Sequence, residues 1–223
     1  MRRNFGWFLF CSGLLLTFRH TAAAADANGQ SALVSDSAGW VDIQPAPDLK
    51  GWTRVPIPPT NQLGRAQWHV DAPNLLVCDG DGGHEMLRYD RGLGDCIFHV
   101  EFRFPPVTAG KINYNSGVFI RNSEEGKIWH QAQLTPDGGY IFGVSPAGTG
   151  TKRIRLKPTE LRMKPAGEWN TIEFTARGKD LSVWFNGAVT CAYPDCEMQR
   201  GYIAVESEGY KIEFRNLKLK ELK

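Results

Sequence analysis

From Trp40 onward, hydrophobic and polar positions alternate with a period of two, and no long stretch sets apolar residues at helical spacing. Such alternation predicts β-strands. In the segment 97–104, Phe98, Val100, Phe102 and Phe104 fall on one face, while His99, Glu101 and Arg103 fall on the other. Ile172, Phe174 and Ala176 alternate with Glu173 and Thr175, and Leu181, Val183 and Phe185 then run into Asn186-Gly187. That dipeptide accepts the positive φ angles of a tight hairpin. Ile212 and Phe214 share one parity, whereas Leu217 and Leu219 share the other, so a β-bulge is expected near Arg215-Asn216. Pro- and Gly-rich turn signals at 105–106, 136–139, 146–150 and 165–167 separate these runs. The pattern predicts an all-β antiparallel jelly-roll sandwich, with no domain boundary between residues 40 and 223.

The N-terminus reads differently. Arg2 and Arg3 precede an apolar stretch from Trp7 to Phe18, followed by Ala22 to Ala25, the layout of an export signal over residues 1–25. About twelve apolar residues are too few for a spanning helix, which needs about twenty. The expected location is secreted or periplasmic, with no stable membrane insertion once the signal is removed. Residues 26–39 are small and polar and read as a flexible spacer. Removing the leader takes three arginines from 26 basic residues set against 24 acidic ones, so the mature chain is near neutral. Nucleic acid is therefore not the expected partner. Cys78, Cys96, Cys191 and Cys196 remain, an even number in an exported chain, and disulfides are expected before zinc because no C-x-x-C occurs. Cys191 with Cys196 would close a short loop.

Parity also selects candidate functional residues. If Val118 and Ile120 face the core, Gly117, Phe119 and Arg121 face away, and Trp129, Gln131 and Gln133 do so on the next strand. Ala204 and Glu206 turn outward near the end. Glu101, Arg103, Arg121, Trp129, Gln131, Gln133 and Glu206 are thus expected on one surface. A solvated sheet face is commonly built from Lys and Thr, whereas these types fork hydrogen bonds to hydroxyls and stack on sugar rings. A carbohydrate platform follows. His84 and Glu85, next to Gly82-Gly83, could form a catalytic or metal-binding tip; His130 falls on the inward parity and is a core histidine unless a bulge turns it to the cleft.

Several of these segments, Asp48 to Trp52, Val100-Glu101-Phe102-Arg103, Asn115-Ser116-Gly117-Val118-Phe119-Ile120-Arg121, His130 to Leu134 and Gly201 to Leu222, resemble the bacterial 3-keto-disaccharide (3-keto-glycoside) hydrolase family, formerly a domain of unknown function. The resemblance runs from about Trp40 to the C-terminus. It implies a concanavalin A-like fold of the lectin and glucanase type, export, and hydrolysis of the glycosidic bond of 3-keto-disaccharides. The family's commoner pattern carries an acid where this chain has Gln131 and an amide where it has Glu206, so the carboxylate changes sides of the expected cleft. The E-x-D-x-E spacing of glucanases of this fold is absent, which argues against direct two-carboxylate hydrolysis.

A ketone at carbon 3 acidifies the hydrogen on carbon 2, so the implied chemistry is elimination of the carbon 1 substituent followed by addition of water. It needs a base, an enolate clamp and an acid. Glu206 or His130 is the expected base, Arg103 and Arg121 the clamp, and Glu85 or His84 the acid or a metal ligand. Gln131 and Gln133 would orient hydroxyls, Trp129 would stack on the ring, and Glu101 would line the platform. A divalent ion could bind the keto oxygen, though no motif demands one. The alternative is a non-catalytic carbohydrate-binding module using the same platform.

Overall fold

The computed structural model describes residues 29–110 and 112–223. A short helix α1 (Ala32–Ser35) precedes the strands β1 (Trp40–Asp42), β2 (Trp52–Pro56), β3 (Trp68–Ala72), β4 (Leu75–Cys78) and β5 (Glu85–Tyr89). There follow β6 (Cys96–Arg103), β7 (Gly117–Asn122), β8 (Trp129–Gln133), β9 (Ile141–Ala147) and β10 (Gly150–Leu156). The chain ends with β11 (Asn170–Arg177), β12 (Asp180–Phe185), β13 (Ala188–Tyr193), β14 (Tyr202–Ser207) and β15 (Ile212–Glu221).

These strands form two antiparallel sheets. One is ordered β13-β12-β11-β6-β15-β4-β3, with β1 also on β15; the other is ordered β10-β9-β8-β7-β14-β5-β2. The inward parity of both supplies one apolar layer. Phe98, Phe102, Phe174, Phe185 and Phe214 of the first sheet pack with Leu87, Val118, Ile120, Ala132 and Val205 of the second, all essentially inaccessible to water. Each buried phenylalanine contributes about 1.5–3 kcal/mol of transfer free energy, which is why strand phase is firmly held.

The expected hairpin is present: Asn186 (φ 41°) and Gly187 (φ 102°) join β12 to β13. The expected bulge is present too, with register lost between Arg215 and Lys218 and Asn216 at φ 52°. Residues 29–39, expected as a spacer, carry α1, whose Ala32 and Leu33 N–H groups donate to the Glu173 carboxylate at 2.7 and 3.1 Å. Glu173 also bonds His99 Nδ1 at 2.9 Å, so a buried ion-pairing group on the outer face of the first sheet docks this segment. The leader, residues 1–25, lies outside the described residues.

The expected disulfides are corrected. All four described cysteines are buried free thiols. Cys191 Sγ approaches Leu156 O at 3.4 Å, whereas Cys196 Sγ lies 3.6 Å from His130 Nε2. Burial pushes the thiols of Cys78 and Cys96 up to about 11 and 12. Among the described residues no helix is long and apolar enough to cross a membrane.

Candidate active site

The outer face of the second sheet carries a cleft of about 680 Å³. Its floor is apolar: Met86, Phe119 and Ala204 form a small cluster of their own with Val55, and Trp129 and Ile57 pack against it. Trp129 meets Phe119 and Phe142 edge to face at 6.2 and 5.0 Å between centroids. These side chains alternate with the core residues of the same strands, as parity requires.

The polar groups enter this floor through strand register. β14 pairs with β5 so that Glu206 lies opposite Met86 and Ser207 opposite Glu85. His84, two residues before Met86, therefore projects from the same face. Its Nε2 bonds Glu206 Oε1 at 2.9 Å and lies 3.9 Å from Glu208 Oε2. On the other side, β8 brings Gln131, whose Nε2 donates to Glu206 Oε2. The gap between them is bridged across Gly117. A Cβ at that position would lie 2.0 Å from Gln131 Nε2, so the missing side chain is what lets the amide reach the carboxylate. Gln133 donates to Asn115 Oδ1 at the cleft wall.

Glu206 is 3% exposed, and burial pushes its carboxyl up to about 7. The bonds from His84 and Gln131 oppose that rise, while the charge of Glu208 adds to it. Burial works against the charge on His84, yet the bond and charge of Glu206, with the charge of Glu208, leave its pKa above the ordinary value. Burial likewise raises Glu208. One acid–base cluster thus gathers three groups whose proton affinities are all raised. Donor atoms of His84, Glu206 and Glu208 lie within 4.8 Å of one another, a set that could also hold a divalent cation.

Of the residues predicted from sequence, Glu206, His84, Gln131, Gln133 and Trp129 converge here. The others do not. Glu101 and Arg103 point outward as expected, but from the first sheet, where Glu101 is bound by Arg215 and Asn216, and Arg103 pairs with Glu213. Two sheets have two outer faces, and parity does not say which. Arg121 adopts φ 53°, which turns its buried side chain off the cleft face to a pair with the half-exposed Asp95 at 2.7 Å. Glu85 faces inward by parity and is occupied by Arg54 and by Trp68 Nε1 at 2.7 Å. His130 stays in the core, its ring nitrogens 3.1 Å from Arg121 O and Ser145 Oγ, with burial lowering its pKa to about 4.

Glu208 went unread in the sequence, although it follows Glu206 by two residues and so shares its face. Phe142, Lys127 and Arg153 also reach the cleft without having been anticipated. The hairpin of β9 and β10 carries two of them.

A sequence-family comparison matches the 3-keto-alpha-glucoside-1,2-lyase-like domain over residues 39–220. The chain belongs to that family. No curated protein matches it by sequence. A candidate glycosyl hydrolase from Parabacteroides distasonis is similar in fold, with a TM-score of 0.60 at 16% identity over 84% of this chain and 96% of that one. The carbohydrate-binding module CBM66 from Bacillus subtilis gives 0.56 at 12% identity, covering 77% and 96%. LamAcat from Zobellia galactanivorans gives 0.54 at 10% identity, covering 81% and 94%. At these identities the likeness is one of fold, the concanavalin A-like jelly roll.

Two predictions follow from the buried carboxylate. A group whose pKa is raised on folding binds its proton more tightly in the native chain, so its stabilising effect is complete below the ordinary 4.5 of a glutamate and is lost as pH rises through about 7. His84, also raised, acts in the same direction. Between pH 4.5 and 8 the unfolding free energy of the wild type should therefore fall by roughly 3 kcal/mol more than that of Glu206→Gln. Urea titrations at a series of pH values check this; parallel curves contradict it. Gly117→Ala is compatible with its backbone but forces the Gln131 amide aside, so it should leave the circular dichroism unchanged while lowering turnover at least tenfold.

Proposed function

We propose that the mature chain is an exported enzyme that opens the glycosidic bond of 3-keto-glycosides, 3-keto-disaccharides among them, by elimination across carbons 1 and 2 and subsequent hydration. The observation that carries this reading is the Glu206 carboxylate, buried at the foot of an apolar-walled cleft and held from both sides by His84 and Gln131. A solvated sheet face has no use for so costly a group. Family membership and the export-type leader support the same reading.

Trp129, with Phe119 and Phe142, offers aromatic surface to the sugar ring. Glu206 takes the proton from carbon 2; the electron pair left behind forms the enolate of the 3-ketone. When the enolate collapses, the bond from carbon 1 to the departing oxygen breaks, and that oxygen receives the proton carried by His84. The 2.9 Å bond between the two side chains then returns the proton from Glu206 to His84. Addition of water, hydroxyl to carbon 1 and proton to carbon 2, completes hydrolysis. Gln131 fixes the carboxylate, and Gln133 with Asn115 supplies amide groups for sugar hydroxyls. With a divalent cation held by His84, Glu206 and Glu208, these side chains would be ligands instead of proton carriers, and the ion would supply polarisation of the keto oxygen.

The purified mature protein should release sugar from a 3-keto-glucoside and leave the corresponding ordinary glucoside intact. Glu206→Gln should lower turnover by at least 10²-fold, the range expected for loss of a general base. The assay is run with chelator and with added divalent metals. Absence of release under every condition, with reversible binding of ordinary glycans instead, would identify a binding module.

A further inference from the structure

Apart from Lys127, which lies 3.9 Å from Glu125, the acidic and guanidinium groups of the cleft are separated along the sheet. Its carboxylates, Glu206 and Glu208, come from β14 and the residues after it, whereas Arg153 lines the far end from the edge strand β10. The order β10-β9-β8-β7-β14 separates these strands by four intervals, roughly 19 Å at the usual spacing. A hollow of about 230 Å³ continues the cleft at this far end, sharing Gln133 and Phe142 with it and adding Tyr140, Asp137 and Arg155.

Arg153 and Arg155 alternate with the buried Ile154, so both project from the cleft face, and both are exposed. Among the described residues neither forms an ion pair with a carboxylate within 4.0 Å. Arg155 lies over the Tyr140 and Phe142 rings at 5.4 and 5.7 Å, which fixes the guanidinium above an aromatic platform. Asp137 feels the charge of Arg155, but its oxygens are occupied by Thr135 Oγ1 at 2.8 Å and Tyr140 Oη at 3.3 Å. Edge strands often carry cations that discourage pairing with another chain. Lys152, of opposite parity, sits over Tyr193 away from the cleft and is of that kind. Arg153 and Arg155 instead line the cleft and the hollow that continues it.

We propose that this end of the cleft binds an anionic sugar, a uronic acid whose carboxylate is received by Arg153 and Arg155, in the leaving-group portion of the substrate. The inference rests on the elimination reading for placing the keto sugar at Glu206, and it adds the chemical class of what departs. A guanidinium recognises a planar carboxylate through paired N–H donors, a preference that a neutral hydroxymethyl or amide group does not satisfy.

The test compares a 3-keto-glucosyl uronate with its uronamide, which has the same shape without the charge. For the wild-type protein, kcat/KM should be about tenfold higher for the uronate, corresponding to about 1.4 kcal/mol. The ratio should shrink in about 0.5 M NaCl and approach one in the Arg153→Gln/Arg155→Gln protein. Calorimetry with Glu206→Gln should show the same preference in affinity. Equal kcat/KM for the two compounds in the wild type, or a ratio unmoved by the double substitution, overturns the inference and leaves the elimination reading standing. If neither compound is cleaved but the uronate still binds more tightly, the anionic subsite stands and the elimination reading fails. Neither cleavage nor preferential binding overturns both.

Discussion

A carboxylate withdrawn from water has to be compensated, and the way Glu206 is compensated organises the whole cleft. Its two oxygens are divided between a histidine that immediately precedes the strand on one side and an amide from two strands away on the other. Neither bond could form without the register of the sheet. β5 must pair with β14 so that His84 lies alongside, and β7 must present a glycine so that Gln131 can cross it. Even with both bonds the carboxyl stays near neutral in its proton affinity, because burial outweighs them. The fold gives up stability at this position and obtains a group that exchanges protons under ordinary conditions.

The surroundings of the cluster make the same point from the other direction. Elsewhere among the described residues the buried carboxylates are matched by neighbours: Glu85 by Arg54 and Trp68, and Glu173 by His99 and the backbone of α1. The first links β3 of one sheet to β5 of the other, and the second docks α1 on the outer face of the first sheet. Among the described residues, His84, Glu206 and Glu208 crowd together, one buried and two half-buried, beside an open cavity with aromatic walls.

Much of this was legible in the sequence, and the failures have definite causes. Two-residue alternation located the core, the hairpin at Asn186-Gly187 and the bulge at Asn216, and it set Trp129, Gln131, Gln133 and Glu206 on one face. It is silent on which of two sheets a strand joins, so Glu101 and Arg103 were grouped with residues on the opposite side of the molecule. It also assumes regular backbone, and a single positive φ at Arg121 was enough to swing that side chain from the cleft. Glu208 obeys the rule but lies one residue past the end of β14, where alternation alone carries less force. The cysteines show the limit of counting: an even number says nothing of whether sulfurs meet, and here they are separate and buried.

Hydrogen–deuterium exchange at carbon 2 tests the account most directly. When a 3-keto-glucoside is turned over in D₂O, removal of the carbon 2 proton by Glu206 and later return of a proton from solvent should leave deuterium at carbon 2 of the released sugar, and Glu206→Gln should abolish both release and labelling. Release of a sugar that still carries its original hydrogen at carbon 2 would mean that the glycosidic bond is broken by direct displacement, and would contradict the role assigned to Glu206.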